Sequence, residues 1–327
     1  MAARRHLVTG GLGFLGGALA RRLAQEGHRV RVLDNYSRGS EERLGDARGQ
    51  IEIVKGDVRN KEVVYHALEG IDCVWHLASI NGTRFFYERP AEVLDVAVTG
   101  MMNTLEGGVR QGLGELMLAS SSEVYQTPPI VPTDEQVPLS IPDPLNPRYS
   151  YAAGKIISEL LAINYGRQYL ERVLIFRPHN VYGPNMGWEH VIPQIIARLL
   201  QLLPSARNGE VKLPIQGTGE QTRTFVYVDD CVEGLMRILG RGEHLNIYNV
   251  GTTEEVTIGA LARRLAEALG VRVEIVPGSV PPGEPIRRCP DMRKLQKLGY
   301  EPRYSLDAGL RRTIEWYVAH QSLATRL

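Results

Sequence analysis

Val8-Thr9-Gly10-Gly11-Leu12-Gly13-Phe14-Leu15-Gly16-Gly17 is the stretch on which the fold turns. It lies between a short apolar run, residues 6–9, and an alanine- and leucine-rich segment, so it reads as strand end, glycine turn and helix start. Elements in that order grip a pyrophosphate. Gly10 lets the chain turn sharply off the strand, Gly13 lets backbone approach the phosphates, and Gly16 lets the helix pack closely on the sheet. Amides at the helix start, those of Phe14 and Leu15 among them, meet the negative charge. The spacing is Gly-x-x-Gly-x-x-Gly rather than Gly-x-Gly-x-x-Gly, so the surrounding chain has to supply the context.

Downstream, residues 29–33 alternate like a strand that ends at Asp34, and residues 51–55, 73–77, 115–119 and 173–177 are further short apolar runs. Helical patterns at residues 61–68, 92–110 and 149–169 separate them. This alternation predicts an α/β fold with a Rossmann-type doubly wound parallel sheet, its ligands beyond the carboxyl ends of the strands. Past about residue 180 the chain breaks into proline- and glycine-punctuated pieces, with helices predicted at 192–203, 228–239, 258–269 and 306–320. We therefore expect residues 1–180 to form the dinucleotide-binding domain with the reactive residues. Residues 181–327 should form a smaller mixed α/β substrate-binding lobe, the chain crossing between the two. The proline-rich connection over residues 127–147 is expected to cover the active site.

Composition narrows the function classes. The 327 residues are 43% hydrophobic and 23% charged with a formal net charge of +1, which makes no electrostatic case for nucleic acid or an anionic membrane as partner. Residues 191–203, the most apolar later run, are too short to span a bilayer and carry Gln194 and Arg198. Cys73, Cys231 and Cys289 have neither metal-ligand spacing nor an even disulfide framework, so free thiols, no metal and a reducing compartment are expected. The first residues lead straight into a strand without an apolar signal core, which points to the cytoplasm.

Asp34 ends the second strand where an acid accepts hydrogen bonds from both hydroxyls of an adenosine ribose, with Asn35 beside it. A negative charge there disfavours the extra phosphate of NADP, so NAD is the expected cofactor, although Arg38 stands close enough in sequence to receive such a phosphate. Asp57 and Val58, after the third strand, either face the adenine or form a turn. Tyr151 and Lys155 lie four apart on a predicted helix and project from one face. The ammonium, together with a positive nicotinamide ring, is expected to lower the phenol from its reference pKa of ~10 and make Tyr151 a base for an alcohol proton.

Ser120-Ser121-Ser122-Glu123-Val124-Tyr125 puts hydroxyls and a carboxylate at a strand end. Together with the glycine turn, Asp34, His76-Leu77-Ala78-Ser79, Tyr151 with Lys155, and Arg177-Pro178-His179-Asn180-Val181-Tyr182-Gly183-Pro184, this chain resembles the extended short-chain dehydrogenase/reductases that modify nucleotide sugars. The resemblance continues through residues 219–230 and 287–291 and so covers essentially the whole chain. It implies that Leu77 and Ala78 contact the cofactor and that Ser121 bonds the sugar hydroxyl. It further implies that Tyr151 removes the hydroxyl proton while hydride leaves carbon 4 for NAD, and that Asn180, Arg223 and Arg288 hold the nucleoside diphosphate. It also implies a homodimer built from residues 92–110 and 149–169 of each subunit.

A 4-keto sugar leads to decarboxylation, dehydration or epimerisation. Ser122-Glu123 stands where the related dehydratases of thymidine-linked glucose carry Asp-Glu, and Pro147-Arg148-Tyr149-Ser150-Tyr151 with Gly154-Lys155 resembles the UDP-glucuronate decarboxylases. Decarboxylation of a nucleotide-linked uronic acid is therefore the leading expectation, with Glu123 assisting proton movement; 4-epimerisation and 4,6-dehydration are the alternatives, and a silent NAD-binding regulator a remote one. Arg148 either holds a substrate carboxylate or diphosphate or pairs with Asp143, and Arg84 is a second carboxylate partner. The chain departs from those decarboxylases at Gly183-Pro184-Asn185, where they carry Gly-Pro-Arg, and at Met186-Gly187-Trp188-Glu189-His190.

Overall fold

Valine, leucine and isoleucine dominate the predicted strands, as both faces of a parallel sheet must be buried. The computed structural model describes residues 3–279 and 286–322. Its central sheet has seven parallel strands: β1 (Arg5–Thr9), β2 (Arg29–Asp34), β3 (Ile51–Lys55), β4 (Cys73–His76), β5 (Glu115–Ala119), β6 (Arg172–Pro178) and, at one edge, Asn246–Val250. Across the sheet they run Asn246–Val250, β6, β5, β4, β1, β2, β3. The order reverses between β1 and β4, where Thr9 pairs with His76, and a crevice opens beyond those strand ends.

The helices are α1 (Phe14–Gln25), α2 (Lys61–Ala67), α3 (Thr83–Glu88), α4 (Pro90–Gln111), α5 (Ser150–Tyr169), α6 (Val191–Leu202), α7 (Val228–Arg241), α8 (Ile258–Ala268), a single turn at Arg293–Gln296 and a last one at Leu306–Ala319. Side chains alternate along β1, so Val8 joins the core that α1 and α7 cover with Leu19, Leu23, Leu235 and Ile238. Leu7 joins the opposite core under α2, α4 and α5, with Leu68, Met101, Leu105 and Ala162. Beyond residue 180 the chain forms short ladders, among them Glu210–Ile215 with Arg272–Pro277, and Thr222–Thr224 between Glu255–Thr257 and Arg287–Arg288. α7 and Asn246–Val250 return to the main sheet, so that sheet draws on residues from both halves of the chain.

Sequence patterning missed α3, which is too short to show a period and starts after Gly82 without a side-chain cap. The proline-rich connection is a brace. Thr133 N donates to the Cys289 carbonyl and Asp291 N to the Thr133 carbonyl, both at 2.8 Å, while Val137 packs against Val124 and Tyr125. No helix among the described residues is long and apolar enough to cross a membrane.

Candidate active site

The cradle for a dinucleotide is made by the ends of β1, β2 and β4. Gly10 has φ 67°, and a Cβ there would come within 3.0 Å of the Ala78 backbone; at Gly16 one would collide with the Gly10 carbonyl. Only glycine lets the turn close. Gly13 precedes α1 with no side-chain cap, so the Phe14, Leu15 and Gly16 amides point out of the helix start, a favourable place for phosphate. Thr9 Oγ1 accepts from the Leu77 and Ala78 amides at 3.2 Å, which fixes the β4 wall. Asp34 is buried and accepts from Leu12 N at 3.0 Å and from Tyr36 N at 2.8 Å, one oxygen each. Each carboxylate oxygen has a further acceptor site for a ribose hydroxyl. Turn, uncapped helix start and buried acid together fit NAD.

Three neighbours of that cradle already have partners within the protein, and Asp57 lies in the turn that was one of its two expected places. Asp57 is committed to Arg59, at 2.9 and 2.8 Å, and to Asn35 Nδ2 at 3.0 Å; the Arg59 guanidinium holds its carboxyl below the usual range. Val58 is buried in the core against Gly100. Arg38 reaches the Asn81 carbonyl and lies 3.3 Å from Glu189, so the guanidinium that was a candidate for a 2′-phosphate is engaged across the crevice.

Tyr151 and Lys155 are buried one turn apart near the start of α5, and Phe86 of α3 stacks on the Tyr151 ring at 5.0 Å. Ser121 Oγ accepts Glu123 N at 3.1 Å, and the Ser121 and Ser79 hydroxyls hydrogen-bond the phenol. Lys155 bonds backbone in this structure. Its Nζ donates to the Ala119 carbonyl at 2.7 Å and stands 5.7 Å from the Tyr151 ring centre. Burial pushes the Tyr151 hydroxyl up to about 12, against the bonds from Ser121 and Ser79 and the charge of Arg38, with Glu123 adding to the rise. Burial also pulls the Lys155 ammonium down to about 8, opposed by Glu159. In the protein alone desolvation outweighs a cation that spends its hydrogen bond on backbone, whereas the expected lowering of the phenol also draws on the charge of a bound nicotinamide ring.

Glu123 lies among arginines. Arg288 Nη1 is 2.6 Å from one of its oxygens and Arg148 Nη1 3.9 Å from the other. Burial raises its proton affinity, but Arg288, Arg148 and Arg223 outweigh burial and hold the carboxyl at about 2. Arg148 thus faces Glu123, while Asp143 accepts the Leu145 amide. Ser122 is buried at the start of the short turn Ser122–Tyr125. Arg288 keeps Nε and Nη2 buried without a hydrogen-bond partner among the described residues, which is a demand for an anion. Arg223 is buried and donates to the Thr222 carbonyl at 2.9 Å, and Asn180 donates to the Thr224 carbonyl at 2.8 Å. Arg84 is exposed beside Glu88 and Glu189.

Sequence reasoning missed two groups. Below the site, Glu159 accepts from Ser120 Oγ and from Arg177 Nε and Nη2 at 2.8 and 2.6 Å. Arg177 also donates to Tyr125 Oη, which donates to Asn249, both at 2.8 Å. The signal was present: Glu159 follows Lys155 by one turn on the same helix face. At the mouth, Glu189 lies between Arg38 and Arg84.

Known proteins resemble this chain in sequence and, among solved structures, in fold. The UDP-glucuronic acid decarboxylase 6 of Arabidopsis thaliana is 35% identical over 94% of this chain and 86% of its own length. The UDP-N-acetyl-alpha-D-glucosaminuronate decarboxylase of Bacillus cytotoxicus is 32% identical over 96% of this chain and 98% of its own. Among solved structures, the dTDP-glucose 4,6-dehydratase of Streptomyces venezuelae, with NAD bound, matches at a TM-score of 0.85 and 31% identity over 98% of both chains. The sequence model of the NAD dependent epimerase/dehydratase family matches residues 6–251. With the glycine turn, the buried acid and the tyrosine-lysine helix all in place at one crevice, this protein belongs to the NAD-dependent epimerase/dehydratase family.

Proposed function

We propose that this protein decarboxylates a nucleotide-linked uronic acid of the UDP-glucuronate type by way of a 4-keto sugar. One juxtaposition carries the reading: the Tyr151 phenol, hydrogen-bonded by Ser121, stands beside Glu123 and its ring of arginines. Bound NAD supplies the hydride acceptor. With NAD bound, Tyr151 would take the carbon 4 hydroxyl proton as hydride leaves carbon 4 and Ser121 would hold the oxygen, the charge of Lys155 together with that of the nicotinamide ring offsetting the burial that raises the phenol. Carbon dioxide then departs from the β-keto acid. Its bonding pair stays on carbon 5 in conjugation with the keto group, and carbon 5 takes a proton. Glu123, ionised at neutral pH, orients the donor of that proton instead of being the donor. Arg288, with two unpartnered donors, and Arg223 and Asn180 receive the diphosphate.

The curated relatives' names support a uronate substrate. Ser122, where dehydratases of thymidine-linked glucose carry aspartate, argues against dehydration of that substrate. The test is incubation of purified protein and NAD with UDP-glucuronate, UDP-glucose and dTDP-glucose, products followed by mass. Loss of carbon dioxide from UDP-glucuronate is expected; loss of water, or conversion without change of mass, selects the dehydratase or epimerase reading. The same spectra separate a pentose from its 4-keto form.

We also infer a homodimer through α4 and α5, which pack on each other and expose Val109, Ile157, Leu160 and Tyr169. Sedimentation at the mass of one chain sinks that inference. The three cysteines are buried and free, in keeping with a cytoplasmic protein.

A further inference from the structure

The mouth of the crevice holds an arrangement that the reaction above does not use. Arg38, from the turn after β2, and Arg84, at the start of α3, approach the two oxygens of Glu189 at 3.3 and 3.8 Å. Both guanidiniums also lie over the Phe85 ring, at 5.5 and 5.2 Å from its centre. Phe85 adjoins Phe86, the residue stacked on Tyr151, and the Arg38 charge acts on the Tyr151 phenol. Arg89 is a third cation over Phe85, at 4.5 Å, but it pairs with Glu92. Glu189 is the carboxylate partner that the described residues give Arg38.

The fit between Glu189 and its arginines is incomplete. Its Oε2 is buried yet accepts no hydrogen bond, and both ion contacts exceed the ~2.7–2.9 Å of a charge-assisted bond. Charge is balanced, but the donors are not saturated. Glu189 rides on a segment with φ 59° at Asn185 and 91° at Gly187, fastened elsewhere by the Tyr317 hydroxyl on the Gly187 carbonyl at 2.6 Å and by Trp188 edge-on to Tyr317. Its side chain can therefore leave the arginines without disturbing either anchor.

We propose that Arg38 and Arg84 form the subsite for the carboxylate of the uronic acid, and that Glu189 occupies this subsite until the substrate carboxylate displaces it. The inference rests on the uronate reading. It makes Glu189 a specificity residue: a sugar with a neutral carbon 6 has nothing with which to displace it, whereas a uronate exchanges one imperfectly bonded carboxylate for another that forks onto both guanidiniums. The diphosphate is taken separately by Arg288, whose open donors lie beside Glu123 on the other element.

The test uses NAD-loaded protein and calorimetric binding of UDP-glucuronate and UDP-glucose, with carbon dioxide release followed in parallel. Arg84 is 58% exposed, so Arg84→Gln leaves the fold intact. It should weaken UDP-glucuronate about 10-fold, the size of one charge-assisted bond, and leave UDP-glucose within about 2-fold; Arg38→Gln should do the same. Glu189→Gln, which removes the competitor, should tighten UDP-glucuronate by about 5-fold to 10-fold without tightening UDP-glucose. Weaker uronate binding in Glu189→Gln, or equal losses for both sugars in the arginine variants, overturns the subsite. Carbon dioxide release with no charge discrimination sinks the subsite and keeps the reaction, while charge discrimination with no release sinks the reaction and keeps the subsite.

Discussion

Two arginine-glutamate pairs flank the reactive tyrosine, and they are built to opposite ends. Arg177 and Glu159 lie beneath it with side chains only 2% and 3% exposed, joined by two bonds of 2.8 and 2.6 Å, with Ser120 and Tyr125 taking up further bonding sites. Arg38 and Glu189 lie above it, 35% and 17% exposed, in a single contact of 3.3 Å that satisfies charge but not hydrogen bonding. A buried ion pair is retained only when its geometry is complete, because each unpaired charge there costs several kcal/mol. A partly exposed pair with incomplete bonding is exchangeable, because a ligand that completes the bonding can replace either partner. The lower pair laces the end of β5 to α5: Lys155 bonds the Ala119 carbonyl and Glu159 bonds Ser120, one residue on. The Ser121 hydroxyl is thereby set against Tyr151.

Breaking the lower pair should have the largest effect. Glu159→Gln leaves Arg177 buried with its carboxylate counter-charge removed, and we expect a loss of about 3–5 kcal/mol in urea unfolding. Turnover should fall with it, because Ser121 loses its register to the base. A stability unchanged within about 1 kcal/mol would mean that water reaches the pair and that the contrast drawn above is false.

Removing the group between the pairs separates chemistry from scaffold. Tyr151→Phe should lower kcat by about 10²-fold to 10⁴-fold, the usual worth of a general base. Its stability should change by about 1 kcal/mol or less, since only the hydroxyl bonds to Ser121 and Ser79 are lost. Retained turnover of a nucleotide sugar would remove Tyr151 from the mechanism.

The strands and helix that carry the lower pair were legible in the sequence although the pair itself was not, and neither the elements nor the contacts of the upper region were, for a physical reason. Burial leaves a pattern: β3 and β5 begin and end where short apolar runs do, and α5 starts one residue from its predicted position. The glycine turn was legible because Gly10 and Gly16 answer steric demands that no other residue meets. By contrast, Arg38 is distant in sequence from both Asn81 and Glu189, and α3 and the turn around Gly187 are too short and irregular to show a period. The Tyr151–Lys155 spacing was legible as geometry, but spacing carries no information on the desolvation that raises the phenol or on the Ala119 carbonyl that Lys155 bonds.

Acid titration probes the same contrast on a smaller scale. His6, His76 and His179 are buried, and desolvation is the main cause that lowers each to about 3. His179 also contacts Asn249 of the lower network at 3.2 Å. Their folded values lie below the unfolded ~6.5, so the unfolded chain binds more protons between those limits. Stability is then complete above about pH 6.5 and falls as the pH drops towards 3, by about 1.4 kcal/mol per pH unit for each histidine. Urea midpoints measured from pH 7.5 to pH 5 should decline accordingly, and His179→Gln should flatten the slope by about one histidine's share. A midpoint independent of pH over that range would show the histidines to be protonated in place or reached by solvent.

The upper pair should give the smallest change in stability. An ion contact at this exposure contributes about 0–1 kcal/mol, because both side chains lose entropy to form it and water screens it. Arg38→Gln and Glu189→Gln should each shift the urea midpoint by less than about 1 kcal/mol equivalent. The double variant should match the sum of the two within about 0.5 kcal/mol, since so weak a coupling leaves little to lose twice. A coupling of several kcal/mol in that cycle would make Glu189 a structural counter-ion fixed to Arg38. It could not then give way to a substrate carboxylate, and the two pairs would be alike in energy despite their different burial.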